Sequence, residues 1–208
     1  MTYDKTSTID NFLTATAAKQ PTPGGGSIAA LTGALAAAIG EMVVSYSIGR
    51  KDLGEHQDEL KVALTELARA QQVMLELMVE DQAAYEALTA ARKLPEDDPA
   101  RRGKFDAALL ACIRIPQSVG ATASAILQLC DRLVERVNKN LLSDLAVCAE
   151  LAIATVRCAA YNVKVNLADV ADPNERSQIE LGSLKEISDG GPLVRSVIGR
   201  IWARQGFS

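Results

Sequence analysis

Aromatic side chains make up only 4% of the 208 residues, with a single tryptophan. A core without them has to be filled by Ala, Leu, Val and Ile, which favours closely packed helices. Histidine occurs once, at His56, and the four cysteines (Cys112, Cys130, Cys148 and Cys158) form no CxxC pair. This inventory leaves zinc without a ligand set, so no metal site is expected. His56 sits in the charged stretch "LGEHQDEL", a poor place for the base of a cysteine nucleophile. The cysteines read instead as reduced core residues. Basic residues gather nowhere, and the net charge is −4. That argues against nucleic acid and against an anionic membrane surface as partners, while a local cationic pocket for a small anion stays open. The first residues, "MTYDKTSTIDNF", are polar, so no secretory leader is expected and the expected location is the cytoplasm. The apolar run Ser27–Gly40 reads as too short for a membrane span and is expected to form a buried helix.

What the chain does have is helical periodicity, and no convincing strand. Six segments are expected to be helical. The first spans about 6–19, with Ser7 or Thr8 as cap, and the second about 26–48, apolar on all sides and rich in Gly and Ala. The third spans about 53–92 and the fourth about 100–137. The fifth runs from "NKNLLSD" to about Leu167, and the last covers roughly 173–204 with a break expected at "SDGGP". Pro116 falls inside the fourth and should free the carbonyl of Cys112. The expected architecture is one all-α domain over residues 1–208. It is a multihelical, mostly antiparallel bundle around a buried central Gly/Ala-rich helix.

Some polar residues stand where apolar ones belong. Asp81 shares a row with Leu60, Leu67, Met74 and Leu88. A carboxylate there is costly unless paired; a buried ion pair with an arginine and a ligand cavity fit equally well. On the fifth helix Asp144, Cys148, Leu151, Thr155, Cys158, Asn162 and Asn166 fall on one side, as in a wetted or liganded groove or an ordinary solvated face. Arg50 and Lys51 follow the second helix, where two cations either answer the helix dipole or hold a carboxylate. The triplet Gly24, Gly25 and Gly26, with Ser27 placed to cap, reads as a nest of main-chain donors at a positive helix end. No GK[ST] follows it and no strand precedes it, which disfavours nucleotides.

The segments "PTPGGGSIAALTGALAAAI", "IGRKDL", "EDQAAYEALTAARKLP", "NKNLLSDLAV" and "AAYNVKVNL", in that order, resemble the cyclodeaminase/cyclohydrolase family of folate enzymes. The resemblance covers almost the whole chain. It implies an all-helical bundle that is usually a dimer, a tetrahydrofolate derivative as substrate and no further cofactor. It departs from the family pattern at Lys139-Asn140, where a Gly-Asn pair is expected. Of the two activities implied, hydrolysis of 5,10-methenyltetrahydrofolate is favoured over ammonia release from formiminotetrahydrofolate. A non-catalytic helical oligomerisation module is the reading from another class. For the hydrolysis, Asp144 is the expected base, Asp81 a pterin or second acid/base contact, and Arg50 and Lys51 the cations for the glutamate tail or an oxyanion. Gly24, Gly25, Gly26, Ser27, Tyr85, Asn140, Ser143, Asn162 and Asn166 are the expected substrate contacts. Tracing up-and-down helices puts Asp144, Arg50 and Lys51 at one end and Asp81, Tyr85, Asn162 and the glycines at the other. A site composed from two subunits of an antiparallel homodimer is therefore expected.

Overall fold

A computed structural model describes residues 2–206. Six α-helices follow one another: α1 (Ile9–Ala17), α2 (Gly25–Ser45), α3 (Gln57–Arg92), α4 (Arg101–Leu133), α5 (Leu142–Asn166) and α6 (Pro173–Gln205). No strand occurs among the described residues. Thr8 caps α1, accepting from the Asn11 amide at 3.2 Å. Short 3₁₀ turns at Lys51–His56 and Lys139–Leu141 lead into α3 and α5.

The glycines of α2 decide how the bundle packs. Gly26, Gly33 and Gly40 recur every seven residues and lie opposite Asp81, Met74 and Leu67 of α3, themselves seven apart. Gly25, Gly33 and Gly40 likewise meet Asn162, Thr155 and Cys148 of α5. Both neighbours therefore run antiparallel to α2, and the missing side chains let them come close. The row expected to form a groove along α5 is closed in the middle. Cys148 and Thr155 are fully buried against these glycines, and the Thr155 hydroxyl donates to the Leu151 carbonyl.

Three expectations need correction. The chain does not break at "SDGGP": α6 runs unbroken through Gly190, Gly191 and Pro192. Gly190 is buried where a β-carbon would meet Ile153 Cδ1 at 2.6 Å, so close packing on α5 outweighs the local preference for a turn. Secondly, α2 is not enclosed on all sides. Ile28, Leu31, Ile39 and Met42 are half-buried, and Leu35 and Tyr46 are 55% and 66% exposed. At 21 residues and a mean hydropathy of 1.8, α2 is also long and apolar enough to span a membrane, as is α4. Length therefore does not exclude a span, though 56% of the α2 window is buried within the bundle. Thirdly, only three cysteines are core residues; Cys158 is exposed. Cys130 and Cys148 touch in the core, sulfur to sulfur at 3.3 Å, as free thiols joining α4 to α5.

Candidate functional site

The mouth of α2 gathers residues from four helices. Gly24 is the N-cap and offers no side chain. Ser27, expected as the cap, turns its hydroxyl to Asp81 instead and donates to Oδ2 at 2.8 Å. The first amide to close a helical bond is that of Ile28, on the Gly24 carbonyl at 3.0 Å. The Gly25, Gly26 and Ser27 amides thus precede the ladder and face the mouth. Asp81 stands directly over Gly26, and Asn162 Oδ1 lies 3.3 Å from where a Gly25 β-carbon would be. Ile115, Pro116, Val119 and Ala159 close the crevice with apolar surface.

Asp81 has no arginine partner among the described residues; the Ser27 hydroxyl and main chain are its company. Burial raises its carboxyl above the ordinary 3.8, and the hydrogen bonds from Ser27 pull the other way. The same charge adds to the burial that pushes the neighbouring Cys112 thiol up to about 11.

Pro116 works as the sequence implies. The Cys112 carbonyl it frees accepts from Asn166 Nδ2 at 3.2 Å, and the same amide reaches the Asn162 carbonyl at 2.9 Å. Asn162 Nδ2 in turn donates to the Cys158 carbonyl at 2.8 Å, which leaves its Oδ1 toward Gly25. Both asparagine amide groups are therefore held by main chain, and Asn166 orients the α4–α5 wall. Tyr85, one turn beyond Asp81, is 45% exposed.

The remaining expected residues lie at the opposite end of α2. The Ser47 hydroxyl accepts from the Asn138 amide at 2.9 Å, tying that end to the start of α5. There Asn140 and Ser143 are exposed and Asp144 is half-buried in the first turn of α5. Arg50 is held by Asp52 through two hydrogen bonds, at 3.0 and 2.9 Å. Lys51 is exposed, and Lys139 lies close enough to Asp52 to act on its charge. With α2 about 30 Å long, these groups do not meet Asp81 within one chain. A wider groove of about 740 Å³ lies between α3 and α4, around Arg69, Thr122 and Arg132, away from both sets.

Sequence reasoning missed three polar residues. Gln82 is fully buried; it accepts from the Tyr3 amide and donates to the Tyr3 carbonyl, both at 2.8 Å, which fixes the N-terminal segment beside Asp81. Asp52 is missed because its role depends on a turn. Glu41 is a lone carboxylate in α2 with a buried, unbonded Oε1 and a carboxyl raised by burial; its position in an apolar run was the available signal.

Comparison with known proteins agrees across the chain. The family model described as formiminotransferase-cyclodeaminase matches residues 8–182. A methenyltetrahydrofolate cyclohydrolase from Methylorubrum extorquens is 34% identical over 186 residues, covering 86% of this chain and 89% of that protein. A formimidoyltransferase-cyclodeaminase from Gallus gallus is 27% identical over 200 residues, but this chain spans only 37% of its length. The crystal structure of formiminotetrahydrofolate cyclodeaminase from Thermotoga maritima matches with a TM-score of 0.80 at 25% identity, covering 95% of both chains.

Proposed function

The chain belongs to the formiminotransferase-cyclodeaminase family, and on that premise we propose that it hydrolyses 5,10-methenyltetrahydrofolate to 10-formyltetrahydrofolate. The observation that carries this reading is the half-buried Asp81 at the glycine mouth of α2, beside Ser27 and Asn162. The substrate has a cationic amidinium bridge. Water adds to its carbon and gives up a proton. The hydroxyl so formed gives up its second proton as it becomes the formyl oxygen. The N5–C bond opens and N5 takes one proton, so one proton is released overall. A carboxylate stabilises the cation and moves the protons. Main-chain amides at a helix mouth suit the developing oxygen. In this reading Asp144 is the base and Asp81 holds the pterin edge or passes the second proton. Lys51, with Arg50 oriented by Asp52, takes the glutamate carboxylates. The chemistry asks for no metal or redox group, and four free cysteines suit a reducing compartment such as the cytoplasm.

The working unit in this proposal is a homodimer whose site draws on two subunits, because the two sets of polar residues lie at opposite ends of α2. The second reading is formiminotetrahydrofolate cyclodeaminase, favoured by the Thermotoga maritima match. Both substrates offered to the purified protein separate the readings. Loss of methenyltetrahydrofolate absorbance without ammonia release is expected, and ammonia release without methenyl hydrolysis reverses the assignment. Absence of folate binding, with assembly indifferent to Asp81→Asn and Asp144→Asn, leaves only a non-catalytic module.

A further inference from the structure

The Gly24–Gly26 stretch lies between two hydroxyl residues, and each is tied to a carboxylate of α3. Downstream, Ser27 donates to Asp81 Oδ2 at 2.8 Å. Upstream, the Thr22 hydroxyl donates to Glu86 Oε1 at 3.0 Å. Thr22 and Ser27 are five positions apart, and so are Asp81 and Glu86, because the chain enters α2 antiparallel to α3. The mouth is thus slung between two fixed points on one helix. Its glycines bring no side chains to wedge it in place. A β-carbon on Gly24 would touch only the Pro21 carbonyl, at 3.9 Å. The direction of the mouth amides is therefore set at the two ends. We propose that Thr22 and Glu86 are a positioning pair that aims the Gly25, Gly26 and Ser27 amides, as the upstream counterpart of Ser27 and Asp81. This rests on the hydrolysis reading above, in which those amides take the developing oxygen.

Three observations give the tie this task rather than that of fastening the N-terminal segment. First, that segment is fastened elsewhere. Gln82 holds both backbone groups of Tyr3. The Tyr3 ring meets Phe12 edge to face, with centroids 6.2 Å apart, and Phe12 sits in the core. Secondly, the tie fixes a buried residue rather than an exposed one: Thr22 is 7% exposed, whereas Glu86 faces solvent. Thirdly, Thr22 is held on both sides of its backbone position. The Gln20 side-chain amide donates to the Thr22 carbonyl at 2.8 Å while the hydroxyl is on Glu86. Pro23, buried and with φ locked by its ring, carries that orientation to Gly24. Gly25, next in line, is exposed and open to a ligand.

Steady-state hydrolysis of 5,10-methenyltetrahydrofolate tests the pair. Thr22→Val removes the hydroxyl and keeps the shape. Glu86→Ala removes the acceptor at an exposed position, where folding is not at stake. Each is expected to lower kcat about tenfold to a hundredfold. KM is expected to stay within about twofold of wild type, because the developing oxygen exists only on the way to the transition state. Thr22→Ser and Glu86→Gln keep a donor and an acceptor and are expected to retain kcat. The double variant Thr22→Val/Glu86→Ala is expected to be no slower than the slower single variant, since the two residues make one bond. Circular dichroism is expected to be unchanged throughout. Wild-type kcat in Thr22→Val and Glu86→Ala overturns the pair. So do losses that multiply in the double variant, losses shared by Thr22→Ser and Glu86→Gln, or losses seen only where helicity is lost. A wild type inactive on this folate refutes the hydrolysis reading and the pair with it, whereas an active wild type with indifferent variants refutes only the pair.

Discussion

Asp81 on α3 occupies the space that a side chain on Gly26 of α2 would fill, and is held there by the Ser27 hydroxyl at 2.8 Å. The helix mouth and the carboxylate are thus one unit: a change at the glycine is a change at the acid.

Gly26→Ala separates function from stability. The new methyl forces Asp81 off Ser27, since the clash is with a short side chain anchored in a packed helix. Overpacking costs about 1–3 kcal/mol, and alanine returns about 1 kcal/mol of helix propensity. Melting temperature is therefore expected to fall by at most about 8 °C, while kcat/KM falls on the order of a hundredfold through the displaced group. Paired calorimetry and steady-state kinetics check this.

The pH dependence of stability follows from the same carboxyl. Burial raises its folded pKa above 3.8, so ionisation costs more in the folded protein than in the unfolded chain. The stabilising contribution is complete below the unfolded value and is lost as pH rises through the folded one. Asp81→Asn removes this titration and leaves the similarly raised Glu41 and Glu186 in both proteins. The melting temperature of the variant minus that of wild type is expected to grow as the pH rises past the ordinary carboxyl value of 3.8. A flat difference rejects the assignment.

Asn166 and Pro116 form a compensating pair. Asn166→Ala leaves the Cys112 carbonyl without a donor, at a cost of about 1–3 kcal/mol. Pro116→Ala restores the helix's own amide at that point. The loss from Asn166→Ala is thus expected to shrink in the Pro116→Ala background, and urea unfolding of the four proteins measures the coupling.

Asp144→Asn tests the proposed base. Turnover is expected to fall about a hundred- to ten-thousandfold, with the circular dichroism spectrum unchanged because Asp144 is only half-buried in the first turn of α5. Full turnover in the variant removes Asp144 from the mechanism.

The helices were legible because their apolar rows keep a seven-residue beat, and Asp81 was conspicuous as the charge within one of them. Pro116 was legible with its consequence, since the carbonyl it frees is fixed by covalent geometry. The continuity of α6 through Gly190-Gly191-Pro192 was not, because it depends on Ile153 lying close by. Composition alone also could not tell a helix covered on all sides from one with a bare stripe; that depends on where α3 and α5 settle. The roles of Gln82 and Ser27 were hidden for a related reason. Each is decided by a partner more than fifty residues away, Tyr3 in one case and Asp81 in the other.

The evenly spaced glycines of α2 have a further consequence. Rungs seven residues apart are nearly interchangeable, so α3 could slide along α2 by two turns and find an equivalent gap at every step. Only the groups opposite distinguish one alignment from the next. Slid inward, Asp81 would face Gly33 beside Thr155 of α5 in the sealed interior, far from Ser27 and any helix-end amide. The acid proposed to take part in the chemistry therefore also keeps the two helices in step.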